Sequence, residues 1–397
     1  MKHDGKCLCL ISIIILFFVL ESCDNQDKKR IETGNEVTLV PTGEILKLPI
    51  DNNTTLDCMA MFYFRDRETG KEYLTYLNSY KNEIHFYDLK LQKLESKVTC
   101  ALEGPNGVGK VSGFKVINRD SIFLTLGYSI VLIDSKGQII DKFSYKETKN
   151  GNLPIPYFST SRVYWPLVVK SKILYIPQEL SFDLPYMLND AIWPSPNSKV
   201  CLIVNMINKK NEYLPMKHPL ANEVGLNTVH FSREFDGNYF IYSFFDDPNV
   251  YVTRDHTHVE EYYAPSIYFD KIVHLKYKSM PSFEKYNIDH ITRSSYHNII
   301  YDTKRKVYYR FVKLLDKYEK GDDMMRLVKY PRNFSIIVLN KDFQVIGETK
   351  LPPGTYEYKN FFVAEKGLYL SINHIDNPNL DINALQFELI KLEYNEN

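Results

Sequence analysis

Three short stretches of this chain hold residues whose types and spacing could do chemistry. Residues 104–110 (GPNGVGK) have the G-x4-G-K spacing of a loop whose backbone N–H groups and Lys cradle nucleotide phosphates. His256 and His258 (RDHTHVEEY) stand one residue apart. On a strand both imidazoles would share a face and could reach one metal ion. Cys23 ends an apolar leader, where its thiol could accept a lipid.

Context decides each of them. A phosphate loop needs Ser or Thr directly after the Lys, and Val111 stands there. It also needs a helix to open at that point, so that its N-terminus faces the phosphates. The following residues, VSGFKVINRDSIFLTLG, alternate like strands. A glycine-rich turn between two strand units is expected, and no nucleotide site is assigned. His256 and His258 fall between two strand-like runs, NVYVTRD and VEEYYA, which fits a hairpin turn of solvated residues. His230, His274, His290 and His297 lie in the same half of the chain, but no spacing fixes a third ligand. No metal is assigned, and the His256/His258 pair stays a candidate only. Asp246-Asp247 and Asp322-Asp323 read as solvated loop charge, since adjacency does not bring two carboxylates into one cleft. There is no G-x-S-x-G elbow and no cysteine-peptidase signature. No catalytic residue and no cofactor is assigned.

The leader is more informative. Lys2, His3 and Lys6 precede an apolar run, CLCLISIIILFFVL, that is short for a bilayer span but suits a signal peptide. Leu20-Glu21-Ser22-Cys23 then matches a lipobox. The expectation is cleavage after residue 22 and a diacylglycerol, with its palmitate-type chains, on Cys23. Asp24 and Asp27 bear on the leaflet without deciding it. Cys7 and Cys9 leave with the leader. Cys58, Cys100 and Cys201 remain, an odd number without metal-type spacing, and are expected as small buried hydrophobes, although one disulfide is allowed.

About 375 residues follow the leader, enough for one large domain or two ordinary ones. Lys+Arg and Asp+Glu both count 49, and no basic stripe is visible, which argues against a nucleic-acid partner. The chain carries 30 Tyr and 23 Phe against 2 Trp, an aromatic surplus that favours strands.

Those strands must position whatever the chain does. One pattern recurs: a β-type run ends in Asp or Asn, a few turn residues follow, and a second run begins. The clearest copies are IHFYDLKLQKLESKV, IVLIDSKGQIIDKF, CLIVNMINKKNEYLPM and FSIIVLNKDFQVIGETKL. Further runs precede each hairpin; TSRVYW and SKILYIP open the third unit. Four strands per unit, at a period of roughly 50 to 60 residues, predict a β-propeller of about six blades. The run EILKLPID (residues 44–51) belongs to no unit. Pairing it with the final unit would close the ring and remove an exposed edge. The resulting organisation is a signal peptide (1–22), a polar tether (23–42) and an all-β, six-bladed β-propeller (43–397). Residues 180–196 and 315–332 interrupt the units as a loop and a charged segment with a short helix. Such insertions map to propeller rims, where binding usually happens.

With the lipobox, the aromatic repeats and the segment IIYDTKRKVYYRFVKL (residues 299–314) in hand, the chain resembles the Bacteroidetes-type lipoproteins of the domain of unknown function (DUF) 4221 family, which are related to TolB-like six-bladed propellers. The resemblance implies that fold over nearly the whole mature chain. The family has no assigned catalytic residues, so none is carried over. The GPNGVG segment is also similar to Gly-Pro-Gly loops in other propellers of these bacteria, in keeping with a loop. The functional expectation is a lipid-anchored, non-enzymatic binding or scaffold protein of the cell envelope. Its partners would be the membrane, through the lipid, and an envelope protein, peptide or glycan at one rim. The alternative is a metal-dependent envelope hydrolase or lactonase with a cation in the central channel.

Overall fold

The four recurring hairpins turn on the Asp or Asn that ends each first strand. Asp88 Oδ1 accepts from the Leu91 N–H at 2.8 Å. Asp134 Oδ1 accepts from Lys136 and Gln138, Asn205 Oδ1 from Ile207 and Asn208, and Asn340 Oδ1 from Asp342 and Gln344. A side-chain oxygen thus satisfies the turn N–H groups that the strand ladder cannot reach.

The computed structural model describes residues 36–57, 60–145, 160–178, 199–219, 230–275 and 281–396. Among them, 24 strands form six four-stranded antiparallel sheets. Strand β1 (Val37–Pro49) comes first. Blade 1 holds β2 (Met61–Arg65), β3 (Glu72–Asn78), β4 (Glu83–Asp88) and β5 (Lys93–Thr99). Blade 2 holds β6 (Gly113–Asn118), β7 (Ser121–Leu126), β8 (Ser129–Ile133) and β9 (Ile139–Ser144). Blade 3 holds β10 (Val168–Lys170), β11 (Ile173–Pro177), β12 (Cys201–Asn205) and β13 (Asn211–Tyr213). Blade 4 holds β14 (Phe231–Phe235), β15 (Phe240–Phe244), β16 (Asn249–Thr253) and β17 (Val259–Tyr263). Blade 5 holds β18 (Ser295–Asp302), β19 (Val307–Lys313), β20 (Phe334–Leu339) and β21 (Val345–Lys350). Blade 6 holds β22 (Glu357–Ala364), β23 (Gly367–Ser371) and β24 (Ala384–Tyr394). The first strand of each blade lies innermost: β14, β18, β22 and β2 run side by side around the ring.

Blade 6 takes its outer strand from the start of the described chain. β1 pairs antiparallel with β24, from Val37 opposite Tyr394 to Pro49 opposite Ala384, with one bulge between Pro41 and Ile45. The closure expected for residues 44–51 is therefore present. The strand also starts earlier than expected, and residues 37–42, read as tether from their polar surroundings, lie within it. Val37 and Leu39 are buried against blade 5, and the Leu39 N–H donates to Thr349 Oγ1 at 3.0 Å. The third unit differs too. TSRVYW is not its inner strand: Arg162 and Trp165 close a tight turn, Pro166 follows, and the inner strand is the three-residue β10. Pro lacks the N–H that a continuing ladder would use.

The core lies between blades. One cluster joins blades 6, 1 and 2 through Phe62, Phe114, Phe362 and Phe387. Others join blades 2 and 3, 3 and 4, 4 and 5, and 5 and 6. Tyr73, Tyr76, Tyr87, Tyr242, Tyr296 and Tyr309 are fully buried, so part of the aromatic surplus serves the core. Each such ring contributes about 1.5–3 kcal/mol by leaving water. Two buried arginines rivet neighbouring blades. Arg310 of blade 5 donates to the carbonyl oxygens of Asp247, Pro248, Asn249 and Ala264 in blade 4, at 2.6 to 3.2 Å. Arg233 of blade 4 donates to the carbonyls of Pro166 and Tyr175 in blade 3.

Two helices cover one end of the ring. Helix α1 (Phe283–Ile291) starts at Ser282, whose hydroxyl caps the Lys285 N–H. Helix α2 (Met324–Lys329), capped by Asp323, is the short helix expected within residues 315–332. The other expected insertion, residues 180–196, lies outside the described residues, as do Cys23, Cys58 and the leader. Cys100 and Cys201 are buried free thiols, and burial pushes them up to about 12 and about 11. No described helix is long and apolar enough to cross a membrane.

Candidate functional site

Residues at or just before the inner strands of blades 2 to 6 end up around one end of the ring. There they line a cavity of about 640 Å³. Blade 5 contributes Ser295, His297 and Asn298 from β18, with Lys313 from the end of β19. Blade 6 contributes Tyr358 and Lys359 from β22. His230 and Phe245 flank the inner hairpin of blade 4, and Arg162, Tyr164 and Trp165 come from the turn that enters blade 3. Tyr286, Asn287, His290 and Ile291 of α1 and Val328 after the start of α2 form the cover. A volume of this size suits a small organic ligand.

The lining is cationic. Arg162, Arg293, Lys313 and Lys359 are its charged groups, beside His230, His290 and His297, and no Asp or Glu is among the described residues lining it. Lys313 Nζ donates to the carbonyl oxygens of His290, Ile291 and Arg293 at 2.7, 3.3 and 2.7 Å. It thereby caps the C-terminal end of α1 and fixes the cover to blade 5. Arg293 donates to Asp246 Oδ1 at 2.8 Å and to the Val273 carbonyl at 3.1 Å. Arg162 donates to Thr160 Oγ1 and Tyr164 Oη. Lys359 donates to the Lys329 carbonyl in α2. Burial pulls Lys313 down to about 7, with Asp316 opposing the fall and Arg293 and Lys359 adding to it. Burial lowers Lys359 as well. His290 falls to about 4, and His297 lies well below the ordinary histidine range; burial leads in both, and neighbouring cations add to it.

One pair has the look of a nucleophile and base. Ser295 Oγ and His297 Nε2 lie 3.0 Å apart. The other ring nitrogen faces Tyr358 Oη at 3.5 Å rather than a carboxylate. Among the described residues, no acid orients the imidazole or stabilises its cation, as the third member of a catalytic triad does.

The residues singled out by sequence sit elsewhere. Residues 104–110 form the loop between β5 and β6, and a strand follows, not a helix. Asn82 pins that loop: its amide donates to the Cys100 and Gly109 carbonyls, and its oxygen accepts from the Val111 N–H. Lys110 Nζ donates to the Ser79 carbonyl. His256 and His258 are in the turn between β16 and β17 and do not converge. His256 has φ +62° and is fully buried, with Nε2 2.6 Å from Tyr242 Oη. His258 is exposed and meets Asp255 Oδ2 at 2.8 Å. The expected hairpin turn is present, so period-two geometry does not apply there, but His256 is buried in it rather than solvated. Asp246 and Asp247 are not solvated as expected. Both are buried, one against Arg293 and the other accepting from Tyr251 Oη at 2.7 Å. Among the described residues, no three of His, Cys, Asp and Glu gather as a metal site would require.

Sequence reading did not find the cavity. His230, His290 and His297 were noted only for sharing half of the chain, and they do line one site. The available signal was positional: polar residues recur just before or at the start of successive inner strands, and in a propeller those positions share one mouth.

Comparisons with known proteins agree with this architecture. The sequence profile of the domain of unknown function (DUF4221) matches residues 37–350. A crystal structure of a DUF4221 member from Bacteroides vulgatus is similar over 91% of this chain and 99% of that one, with 28% identity and a TM-score of 0.76. A protein described as exported, from Bacteroides fragilis, shares the fold at 9% identity, with a TM-score of 0.52, over 91% of this chain and 96% of that one. No curated protein shows significant similarity to the chain. With most of its length under the profile and the same ring of blades as a solved member, the chain belongs to the DUF4221 family.

Proposed function

We propose that this protein is a lipid-anchored, non-enzymatic binding protein of the bacterial cell envelope, and that its ligand seats in the cavity under α1 and α2. The observation that carries the reading is the cavity itself. Side chains from blades 2 to 6 and from two capping helices converge on one half-open space at one end of the ring. Ligand sites concentrate where a rigid scaffold presents irregular segments; α2, one part of the cover, lies in the insertion that the sequence assigned to a rim. The leader and Cys23 support the envelope location. The hydrolase alternative calls for carboxylates and amides around a cation, and the described lining is cationic instead.

The test uses the full chain purified in detergent. Its melting temperature is followed against millimolar neutral monosaccharides, amino sugars, short peptides, carboxylates and phosphate esters. The expected result is that at least one class raises the melting temperature and that Val328→Trp, which fills the cavity from α2, abolishes the rise. If no class shifts the melt, or if the shift survives Val328→Trp, the reading is wrong.

A further inference from the structure

We propose that the cavity is an anion site, selecting a carboxylate or phosphate carried on a ring-shaped or otherwise flat body. This rests on the binding reading above and narrows its ligand.

The charge balance is the first argument. Arg162, Arg293, Lys313 and Lys359 reach the cavity from four different elements, and among the described residues no carboxylate does. The nearby acids stand outside the lining. Asp246 holds Arg293 from behind. Asp316 accepts from the Arg332 N–H and from Asn333. Glu357 is buried behind Lys359, accepts from the Lys359 backbone N–H at 3.2 Å, and is raised to about 7 by its burial. Arg293 is paired with Asp246, and Asp316 and Glu357 act on Lys313 and Lys359 from outside the lining; a bound anion adds to that screening of cations in a partly desolvated space. Their mutual repulsion is visible in the depressed proton affinities of Lys313 and His297, each lowered in part by the others.

Geometry is the second argument. Arg162 is held by Thr160 and Tyr164 through Nε and one terminal nitrogen, which fixes the plane of its guanidinium. A planar, oriented guanidinium suits carboxylate and phosphate oxygens. The Trp165 indole N–H is buried without a partner in the same lining, a further donor lacking an acceptor. Aromatic rings stand beside the cations. Tyr358 meets His297 edge-on at 5.2 Å, Phe245 packs on His297 at 4.1 Å, and Tyr164 lies against Trp165. These supply flat apolar walls for the body that carries the charge.

The experiment is isothermal titration of the full chain in detergent with matched probes: glucuronate against glucose, and phenyl phosphate against phenol and inorganic phosphate. The expected result is binding of glucuronate or phenyl phosphate, weakened by added salt and weakened about tenfold by Lys359→Met and by Arg162→Met separately. Melting curves of both variants check that they fold. Glucose or phenol binding as tightly as its charged counterpart overturns the anion assignment, while loss of that binding in Val328→Trp would leave the cavity reading standing. Inorganic phosphate matching phenyl phosphate overturns the part about the flat body. Anion binding unchanged in both variants overturns the site. Absence of binding by every probe here overturns the proposal, and a silent melt against the wider set overturns the binding reading as well.

Discussion

His256 Nε2 lies 2.6 Å from Tyr242 Oη inside blade 4, with the Phe240 ring 4.6 Å and the Tyr175 ring 6.3 Å from the imidazole. Burial drives this histidine down to about 3. It is kept neutral and serves packing. An unfolded chain takes up a proton there near pH 6.5, and the folded chain does so only near 3. The stability tied to neutral His256 is therefore complete above pH 6.5 and is lost as pH falls toward 3. We predict that His256→Asn, which tolerates the positive φ, costs about 1–3 kcal/mol at neutral pH by stranding the tyrosine hydroxyl. The variant should also lose less stability than the parent between pH 6.5 and 4.5, by one proton's worth of slope. Urea unfolding of both proteins across that range checks it. Equal slopes would refute it.

Arg310 should be among the most sensitive positions in the ring. Arg310→Met leaves four blade 4 carbonyls without their donor. The expected loss is about 3–5 kcal/mol, the usual range for breaking a buried charged network. Lys97→Ala removes a half-exposed lysine from Glu83 and should cost under about 1 kcal/mol. Chemical denaturation of the two variants should rank them in that order.

Gly347 in β21 faces the closing strand. A Cβ there would sit 2.3 Å from the Val37 carbonyl oxygen. Gly347→Val should destabilise by about 2–3 kcal/mol. It should also speed hydrogen exchange at residues 37–42 while leaving blades 2 and 3 protected. Unchanged exchange at the N-terminal strand would count against the packing described.

Lys110→Ala should leave ATP affinity unchanged and undetectable in a filter-binding assay, because Lys110 is tied to the Ser79 carbonyl and no helix follows the glycine loop. A micromolar affinity lost in the variant would overturn this.

Cys23→Ala should move the protein from the membrane to the soluble fraction of fractionated cells. A membrane fraction unchanged by the substitution would rule out a lipid anchor at this residue.

The fold was legible because its signals are local. Asp88, Asp134, Asn205 and Asn340 mark turns within a few residues, and alternation marks the strands beside them. Even the closure could be read, since residues 44–51 had no neighbour to pair with. Helix α1 was missed although Ser282 and Glu284 offered a start signal, because nine residues give little periodicity. The site was illegible for a different reason. Lys313, Lys359, Arg162 and His297 are spread over some two hundred residues and meet only through the ring. Nothing in the sequence singles out Arg310 and Arg233, and only the blade packing shows the carbonyls they serve.

The seam of blade 6 also has a timetable. Thr42 Oγ1 donates to the Leu389 carbonyl across a separation of 347 residues. During synthesis β1 emerges first, and the partner for its ladder emerges last. Until β24 arrives, an emerging chain carries an unpaired strand edge at its front, the kind of surface that recruits stray strands. A chain stalled within blade 6 would keep that edge open however well the preceding blades had folded. The leading strand therefore stays open to wrong partners until the final one is delivered.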